Sequence, residues 1–192
     1  NRFHQSTQEG QDDVGNAWGK AVGIVDASSS ICFSWIWNWC SYERMNQHVL
    51  KEGNMVRTEY QIPKSRSLIV STVKKMPSPI HDRVMHAWFV WDMIPNYNGH
   101  QTFIIAFSPR EECDNSLLPP LPSFPHKSEM IVGQAEGLYI FESLAPNVTR
   151  MTYVQLIKFG GYVPDFAVHM MVKTSLSIVQ RLAYNFKRKG EI

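Results

Sequence analysis

Histidines and carboxylates are the residues of this chain best suited to acid–base or metal chemistry, and the sequence holds seven histidines. None of them stands in an H-E-x-x-H pattern, and the chain also lacks G-x-S-x-G, P-loop and G-x-G-x-x-G signatures. Acid–base catalysis would need two titratable groups facing one interior, for which the candidates are His86, His100 and His169 with Glu142. The sequence therefore predicts no metal site, no cofactor and no catalytic residues, and a hydrolase or cyclase is the weaker alternative.

Apolar chemistry is what the composition favours. Nine methionines and six tryptophans are many for a single domain of 192 residues, and both residue types suit adaptable apolar cavities and membrane interfaces. The formal net charge is only +2, with one basic block at Lys187, Arg188 and Lys189, so we expect no nucleic-acid partner. Three cysteines without C-x-x-C spacing favour reduced thiols in a cytoplasmic compartment.

A turn followed by a long amphipathic pattern makes up the last fifth of the chain. The G-G-Y-V-P segment at residues 160–164 predicts a sharp turn, because glycine tolerates positive φ, and then a helix start, where proline fits. One helix is predicted from there to about residue 189. Its apolar face recurs every three or four residues at Ala167, Met170, Thr174, Ile178 and Leu182. The usual reason for such a face is burial in a core.

The chain before this helix is dominated by patterns of short β-strands. Residues 1–15 are polar and aperiodic, which predicts a lead-in or linker, and an apolar run at 21–25 precedes a helix over about 28–42. The strand at 84–94 is apolar on both faces and should be covered on both. Short turns predict an antiparallel meander, with strands at 55–62, 67–75, 84–94, 102–107, 129–135, 138–143 and 149–159.

Three segments of the sequence resemble motifs of one known family. They are K-M-P-S-P-I-H-D-R at residues 75–83, the strand at 99–108, and the stretch from T-R-M-T-Y at 149–153 to G-G-Y-V-P at 160–164. In this order they resemble the START (steroidogenic acute regulatory protein-related lipid transfer) domain. The resemblance implies an α+β helix-grip fold over residues 16–190, in which a curved antiparallel sheet wraps around a long C-terminal helix. The family's usual first helix and first two strands are expected to be missing or to lie upstream.

The function implied by this resemblance is non-enzymatic binding of a lipid in an internal apolar cavity, with transfer between membranes or lipid sensing. Sterols, phospholipids and sphingolipids are the implied ligand classes. The choice of cavity residues from the sheet depends on strand register, because a slip by one residue exchanges the two faces. The residues expected to line the cavity are Met170, Thr174, Ile178 and Leu182 from the helix and Trp88, Phe103, Ile105 and Tyr153 from the sheet.

A loop between two strands is the gate that the resemblance implies. Its tip is expected to dip into a membrane while Lys74 and Lys75 meet anionic headgroups. After the loop, Asp82 and Arg83 are expected to form a surface pair or a polar contact beneath it. We therefore expect a monomeric cytoplasmic domain of a longer chain, peripheral to membranes, and a regulatory protein-interaction module is the alternative. The gate residues are Met76, Pro77, Pro79 and Ile80.

Overall fold

The computed structural model of the protein describes residues 3–9, 16–95, 101–113 and 130–187. Within them lie eight strands: β1 (Phe3–Glu9), β2 (Asn16–Val25), β3 (Val56–Gln61), β4 (Ser67–Lys74), β5 (Arg83–Pro95), β6 (Gln101–Pro109), β7 (Ile131–Ala145) and β8 (Val148–Lys158). The helices of these parts are α1 (Ser29–Trp37), α2 (Tyr42–Asn46), α3 (Asp165–Leu176) and α4 (Ile178–Asn185). A π-helical turn at Gln47–Lys51 continues α2, and a 3-10 turn at Arg110–Glu112 follows β6. None of the described helices is long and apolar enough to cross a membrane.

The described strands form one sheet in the order β1-β2-β8-β7-β6-β5-β4-β3. Neighbours in this order pair antiparallel, and the strands from β3 to β8 follow one another as the predicted meander. The exception is a short parallel pairing between residues 83–85 of β5 and residues 131–133 of β7. With α3 and α4 packed on one face of this sheet, the α+β helix-grip fold expected from the sequence is confirmed.

The C-terminal helices lie on strand β2, where alternate residues are small. Ala17, Gly19 and Ala21 share the buried face of this strand. A Cβ atom at Gly19 would lie 2.7 Å from Leu176 Cδ1 and 2.8 Å from Val172 Cγ1, so any larger residue would push the helix away. The helix residues buried against the sheet are Ala167, Val168, Met171, Val172, Leu176, Ile178, Val179 and Leu182.

The predicted C-terminal helix differs from the observed one in its continuity and its buried face. It is interrupted at Ser177, whose hydroxyl donates to the Thr174 carbonyl oxygen at 2.6 Å, and it ends at Asn185. Serine side chains that bond back to the backbone bend helices. The buried face passes through Met171 instead of Met170, which is 45% exposed. Both methionines fit a three- or four-residue spacing, and packing against β2 decides between them.

The prediction of a polar lead-in over residues 1–15 is wrong for Phe3–Glu9, which form strand β1 and pair with β2. An edge strand of this kind is held by backbone hydrogen bonds and needs no hydrophobic alternation that a sequence would display. Strand β2 also begins earlier than predicted, at Asn16, because its inward residues are mostly alanine and glycine. Two paired strands therefore precede α1, where the sequence led us to expect the family's first two strands to be missing.

Strand β5 is covered on both faces over its first half only. Met85 and Phe89 belong to the main core beneath the helices, whereas Trp88 packs with Ile62 and Ile69 on the opposite face of the sheet. Residues 92–95 are exposed. The prediction of cover on both faces therefore applies to the part of the strand that ends near residue 90.

The two strands predicted at 129–135 and 138–143 form one continuous strand, β7. Gly137 lies in its middle, and a Cβ atom there would be 2.1 Å from the Val154 carbonyl oxygen of β8. The glycine thus marks a close approach of two backbones and not a turn.

Arg83 ties the loop after β4 to the turn before α3. Its side chain is fully buried, and its guanidinium donates to the carbonyl oxygens of Phe159 at 2.6 Å, Gly160 at 3.0 Å and His81. Asp82 accepts the backbone N–H of Met76 at 2.9 Å. Of the two roles expected for Asp82 and Arg83, the structure therefore shows the polar contact beneath the loop. The sharp turn itself is as predicted, since both of its glycines have φ near +60°.

We expect Arg83→Met to lower the free energy of unfolding by about 3 kcal/mol, because three carbonyl oxygens, one of them fully buried, lose a charged donor. Urea denaturation of the two proteins gives this difference. The matched control is Arg150→Met, which removes an exposed arginine paired with Glu142 on the sheet surface and should cost less than about 1 kcal/mol. Equal losses in the two variants would contradict the role given to Arg83.

Candidate functional site

A cavity lies between the helix-bearing face of the sheet and a lid made of α2, the π-helical turn and α4. Strands β3 to β8 all contribute side chains to its walls. Its volume is about 100 Å³. The interior beneath the terminal helix is thus hollow, although narrow.

One side of the cavity is apolar and aromatic. Phe89 and Phe107 stack with ring centroids 5.0 Å apart, and the exposed parts of Met85 and Ile178 face the same space. Further apolar surface comes from Val70, Ala87, Ala135 and Ile157. An apolar ligand that covers this surface would gain about 25 cal/mol of binding free energy for each Å² removed from water.

Two stacked tyrosines and their partners form a polar patch on the sheet side of the cavity. Tyr139 and Tyr153 lie 4.1 Å apart between ring centroids. The Tyr153 hydroxyl donates to Gln155 Oε1 at 2.5 Å, and Ser175 Oγ donates to the same oxygen at 2.9 Å. Burial raises the pKa of both phenols, most strongly that of Tyr153, so these groups are neutral hydrogen-bonding groups.

Four cationic side chains complete the polar part of the cavity lining, and they come from four different elements. Arg44 belongs to α2, Arg57 to β3, Lys74 to β4 and Arg181 to α4. Burial lowers the pKa of Arg44 well below its ordinary value, that of Arg57 to about 10 and that of Lys74 to about 8. These cations therefore lie where water solvates them poorly.

Among the described residues, Glu52 is the one carboxylate that lines the cavity. It pairs with Arg181 and accepts hydrogen bonds from Asn54 Nδ2 at 3.0 Å and Gln47 Nε2 at 3.4 Å. Burial by itself would raise the pKa of Glu52, but Arg181 and Lys74 bring it below its usual value. The Glu52 carboxylate is therefore ionised and engaged.

His48 lies beside this carboxylate and is almost completely buried. Its Nε2 is 3.1 Å from the Val56 carbonyl oxygen and 3.2 Å from Thr72 Oγ1, and its Nδ1 is 3.3 Å from Asn54 Nδ2. Burial, followed by the charges of Arg57 and other cations, lowers the pKa of His48 to about 4. The ring is consequently neutral at physiological pH, with Nε2–H donating to Val56.

Three of the eight residues predicted to line the cavity do so: Thr174, Ile178 and Tyr153. Met170 is exposed on the outer side of α3, and Trp88 points to the opposite face of the sheet. The remaining residues, Leu182, Phe103 and Ile105, are buried in the core away from the cavity. The wrong predictions from the strands follow from register and depth, since inward residues of β6 reach the cavity only at Phe107.

The polar part of the cavity lining is what sequence reasoning missed. Arginine and lysine are normally exposed to solvent, so the sequence around Arg44 and Arg57 did not indicate that these side chains face a cavity. One signal was present in β4, where Val70, Thr72 and Lys74 alternate and therefore share a face that the structure turns inward.

The predicted gate residues lie outside the cavity lining. Met76 is buried in the core, Ile80 is half-buried against it, and Pro79 is exposed. Pro77 is half-buried as well. Of the two lysines expected to flank the gate, Lys74 turns into the cavity and Lys75 is exposed. The loop thus has less apolar surface free for a membrane than its sequence suggests.

A surface groove between α2, the π-helical turn and α4 adjoins the cavity. The two spaces share Trp35, Gln47 and Arg181 in their linings. Tyr42 and Tyr184 stand at the groove with most of their surface exposed. The Arg181–Glu52 pair therefore lies near the boundary between the inner cavity and this outer groove.

The acid and base candidates from the sequence do not meet. His86 contacts Ser71 at 2.7 Å on the far side of the sheet, His169 is exposed on α3, and Glu142 pairs with Arg150. His100 lies outside the described residues. No group of three or more His, Cys, Asp or Glu residues within the described ranges is arranged to hold a metal ion.

No protein-family model and no curated protein matches this chain. Among solved structures it is similar to the human StarD13 lipid transfer and protein localization domain, with a TM-score of 0.66 and 13% identity over 97% of this chain and 85% of that one. A STAR-related lipid transfer protein fragment from Xanthomonas axonopodis has a TM-score of 0.67 and 11% identity over 97% and 94% of the two chains. The Zhui aromatase/cyclase of Streptomyces sp. R1128 has a TM-score of 0.50 and 11% identity over 97% and 95%.

These similarities show the fold of the chain. It is the START fold that the three sequence motifs predict, and the same architecture occurs in a lipid transfer protein and in a cyclase. Because binding proteins and enzymes share this fold, the fold does not distinguish between the two functions. The side chains that line the cavity must distinguish between them.

We predict that protonation of His48 costs stability in mild acid. An unfolded histidine titrates near pH 6.5, whereas the folded pKa is about 4, so stability is complete above pH 6.5 and falls as the pH drops towards 4. Between pH 7 and pH 5 this group should remove about 2 kcal/mol. Urea denaturation at both pH values should show a smaller loss in His48→Gln than in the wild type. The exposed His169→Gln is the control, and an unchanged pH dependence in His48→Gln would contradict the prediction.

Proposed function

We propose that this protein binds a lipid in the cavity beneath α4 and releases it unchanged, as a carrier between membranes or as a lipid sensor. The observation that supports this function is the mixed lining of the cavity, which combines apolar and aromatic side chains with cationic and hydrogen-bonding ones, as an amphiphile requires. The names of two proteins with similar structures include lipid transfer, which agrees with this proposal.

The width of the cavity implies that the lid moves when a lipid enters. A cavity of about 100 Å³ holds a few water molecules, so a lipid fits only after the walls separate. Helix α4 follows the interruption at Ser177 and is held to α2 and the π-helical turn by two polar contacts, Arg181 with Glu52 and Asn185 with Glu43. We infer that these contacts break as α4 turns away and that the ligand enters through the adjoining groove.

Catalysis has less support than binding. The cavity contains one histidine and one carboxylate, His48 and Glu52, and the polar atoms of both are engaged by neighbouring side chains. A histidine whose pKa is about 4 is also a weak general base at neutral pH. The regulatory interaction module is the alternative that gains if the protein takes up no lipid.

We expect Ile178→Trp to reduce lipid uptake at least tenfold, because the larger ring fills the apolar side of the cavity. The overpacking should cost about 1–3 kcal/mol of stability, which leaves the protein folded. Met170→Trp is the control, since the same change on the exposed side of the preceding helix should not affect uptake. Titration with a fluorescent single-chain lipid measures both. Unchanged uptake in Ile178→Trp would contradict the assignment of the cavity as the lipid site.

Lipid exchange with membranes should distinguish the groove from the predicted gate loop. Tyr184→Asp places a charge at the exposed rim of the groove and should slow lipid transfer between anionic liposomes severalfold, because the rim then resists contact with the membrane. Ser78→Asp places the same charge at the exposed tip of the loop and should leave the rate nearly unchanged. The reverse pattern would show that the loop of Met76, Pro77, Pro79 and Ile80 is the gate.

A further inference from the structure

The polar part of the cavity lining presents hydrogen-bond donors without acceptors. Five buried N–H groups in the lining find no acceptor anywhere in the described parts of the chain: Trp39 Nε1, Arg44 Nη2, Arg57 Nε, Gln155 Nε2 and Arg181 Nε. No buried side-chain oxygen of the described residues is left unpaired in the same way. Because a buried donor without an acceptor destabilises the protein, the site favours a ligand that supplies acceptor oxygens.

The same part of the cavity lining carries positive charge that the protein does not balance. Arg44, Arg57 and Lys74 form no ion pair with any carboxylate among the described residues. The only carboxylate in the lining, Glu52, already pairs with Arg181. Glu52 also acts on Lys74, but the described lining still holds four cations and one carboxylate. Because buried charges are normally balanced, this excess indicates a place for an anion.

Aromatic rings hold the two arginines in position. The Arg44 guanidinium lies 5.0 Å from the ring centroid of Trp35 and 4.7 Å from that of Trp39, and the Arg57 guanidinium lies 3.8 Å from that of Trp39. Arg44 also donates to the carbonyl oxygens of Trp35 and Ile36 at the end of α1. Cation–π contacts orient a guanidinium and do not consume its N–H groups, so the donors stay available.

Arg57 occupies the centre of this cationic cluster. Its guanidinium lies on the same Trp39 ring as that of Arg44, and Lys74 and His48 line the same cavity. Water molecules in the cavity would satisfy the N–H donors, but neutral water does not compensate the charge. An anionic group compensates the charge and accepts the hydrogen bonds at once.

We propose that Arg44, Arg57 and Lys74 bind the anionic group of an amphiphile, a carboxylate or phosphate, whose hydrocarbon part lies against Phe89 and Ile178. This inference rests on the proposed lipid-binding function and adds the charge of the ligand. Guanidinium groups suit both anions, because their paired N–H donors match two oxygens. The ligand class is therefore fatty acids and lipids with a phosphate monoester head, in preference to neutral lipids of the same chain length.

Binding of chain-matched probes tests the inference. Dodecanoate, dodecyl phosphate and dodecanol share one hydrocarbon chain and differ in the head, and inorganic phosphate supplies the anion without the chain. The cavity walls contain Trp35 and Trp39, so tryptophan fluorescence reports occupancy and calorimetry gives the affinity. We expect the two anionic amphiphiles to bind at least tenfold more tightly than dodecanol, and inorganic phosphate to bind more weakly than dodecyl phosphate.

Two variants that each remove one positive charge test whether Arg44, Arg57 and Lys74 cause the preference for anionic amphiphiles. Arg57→Gln and Lys74→Gln should each weaken dodecyl phosphate at least tenfold and change the affinity for dodecanol by less than about threefold. Lys173→Gln is the control, since this lysine is exposed on α3 and should leave both affinities unchanged. Circular dichroism confirms that each variant is folded, and either of the two cavity variants suffices for the test.

The possible outcomes separate this inference from the function on which it rests. Equal affinities for dodecanol and the anionic probes would overturn the inference and leave lipid binding in place. Inorganic phosphate that binds as tightly as dodecyl phosphate would show a site for free anions and would also overturn it. Failure of all four probes to bind would contradict lipid binding itself.

Discussion

The close contact between the C-terminal helices and strand β2 determines where the protein is solid and where it is hollow. At Gly19 the helix approaches the strand so closely that no side chain fits between them. Helices α3 and α4 lie mainly against β2, whereas α1 lies against β6 and β7. The cavity lies where these two covers meet, and it exists because neither one packs against every strand.

The charges in the cavity follow from the same division. A lid of short helical segments brings Arg44 and Glu52 over the sheet, while β3 and β4 bring Arg57 and Lys74 from below. A solid core would not tolerate these groups, since each buried charge without a partner costs several kcal/mol. Burial lowers the pKa of Arg44, Arg57 and Lys74, and an anionic ligand would offset the cost of burying them. The buried cations thus destabilise the folded protein at the site that is proposed to bind the ligand.

The sequence predicted the fold better than the site. Motifs with fixed backbone roles, such as the two glycines before Val163 and the alternating apolar strands, survive as patterns because they depend on local geometry. Strand β1 was missed because backbone pairing at an edge leaves little mark on side chains. The spacing of apolar residues left the buried face of the C-terminal helix ambiguous by one residue, so the sequence favoured Met170 where the structure buries Met171. The inward turn of Arg57 depends on tertiary packing, which no local pattern encodes, whereas the alternation of Val70, Thr72 and Lys74 did carry a signal in β4.

The most direct test of the account is native mass spectrometry of the wild-type protein purified from cells without detergent. The account predicts a second species, heavier than the polypeptide by the mass of one lipid, which is lost on organic extraction and restored by incubation with liposomes. A protein that carries only its polypeptide mass, both as purified and after incubation with liposomes, would contradict the claim that the cavity beneath the terminal helix holds a lipid.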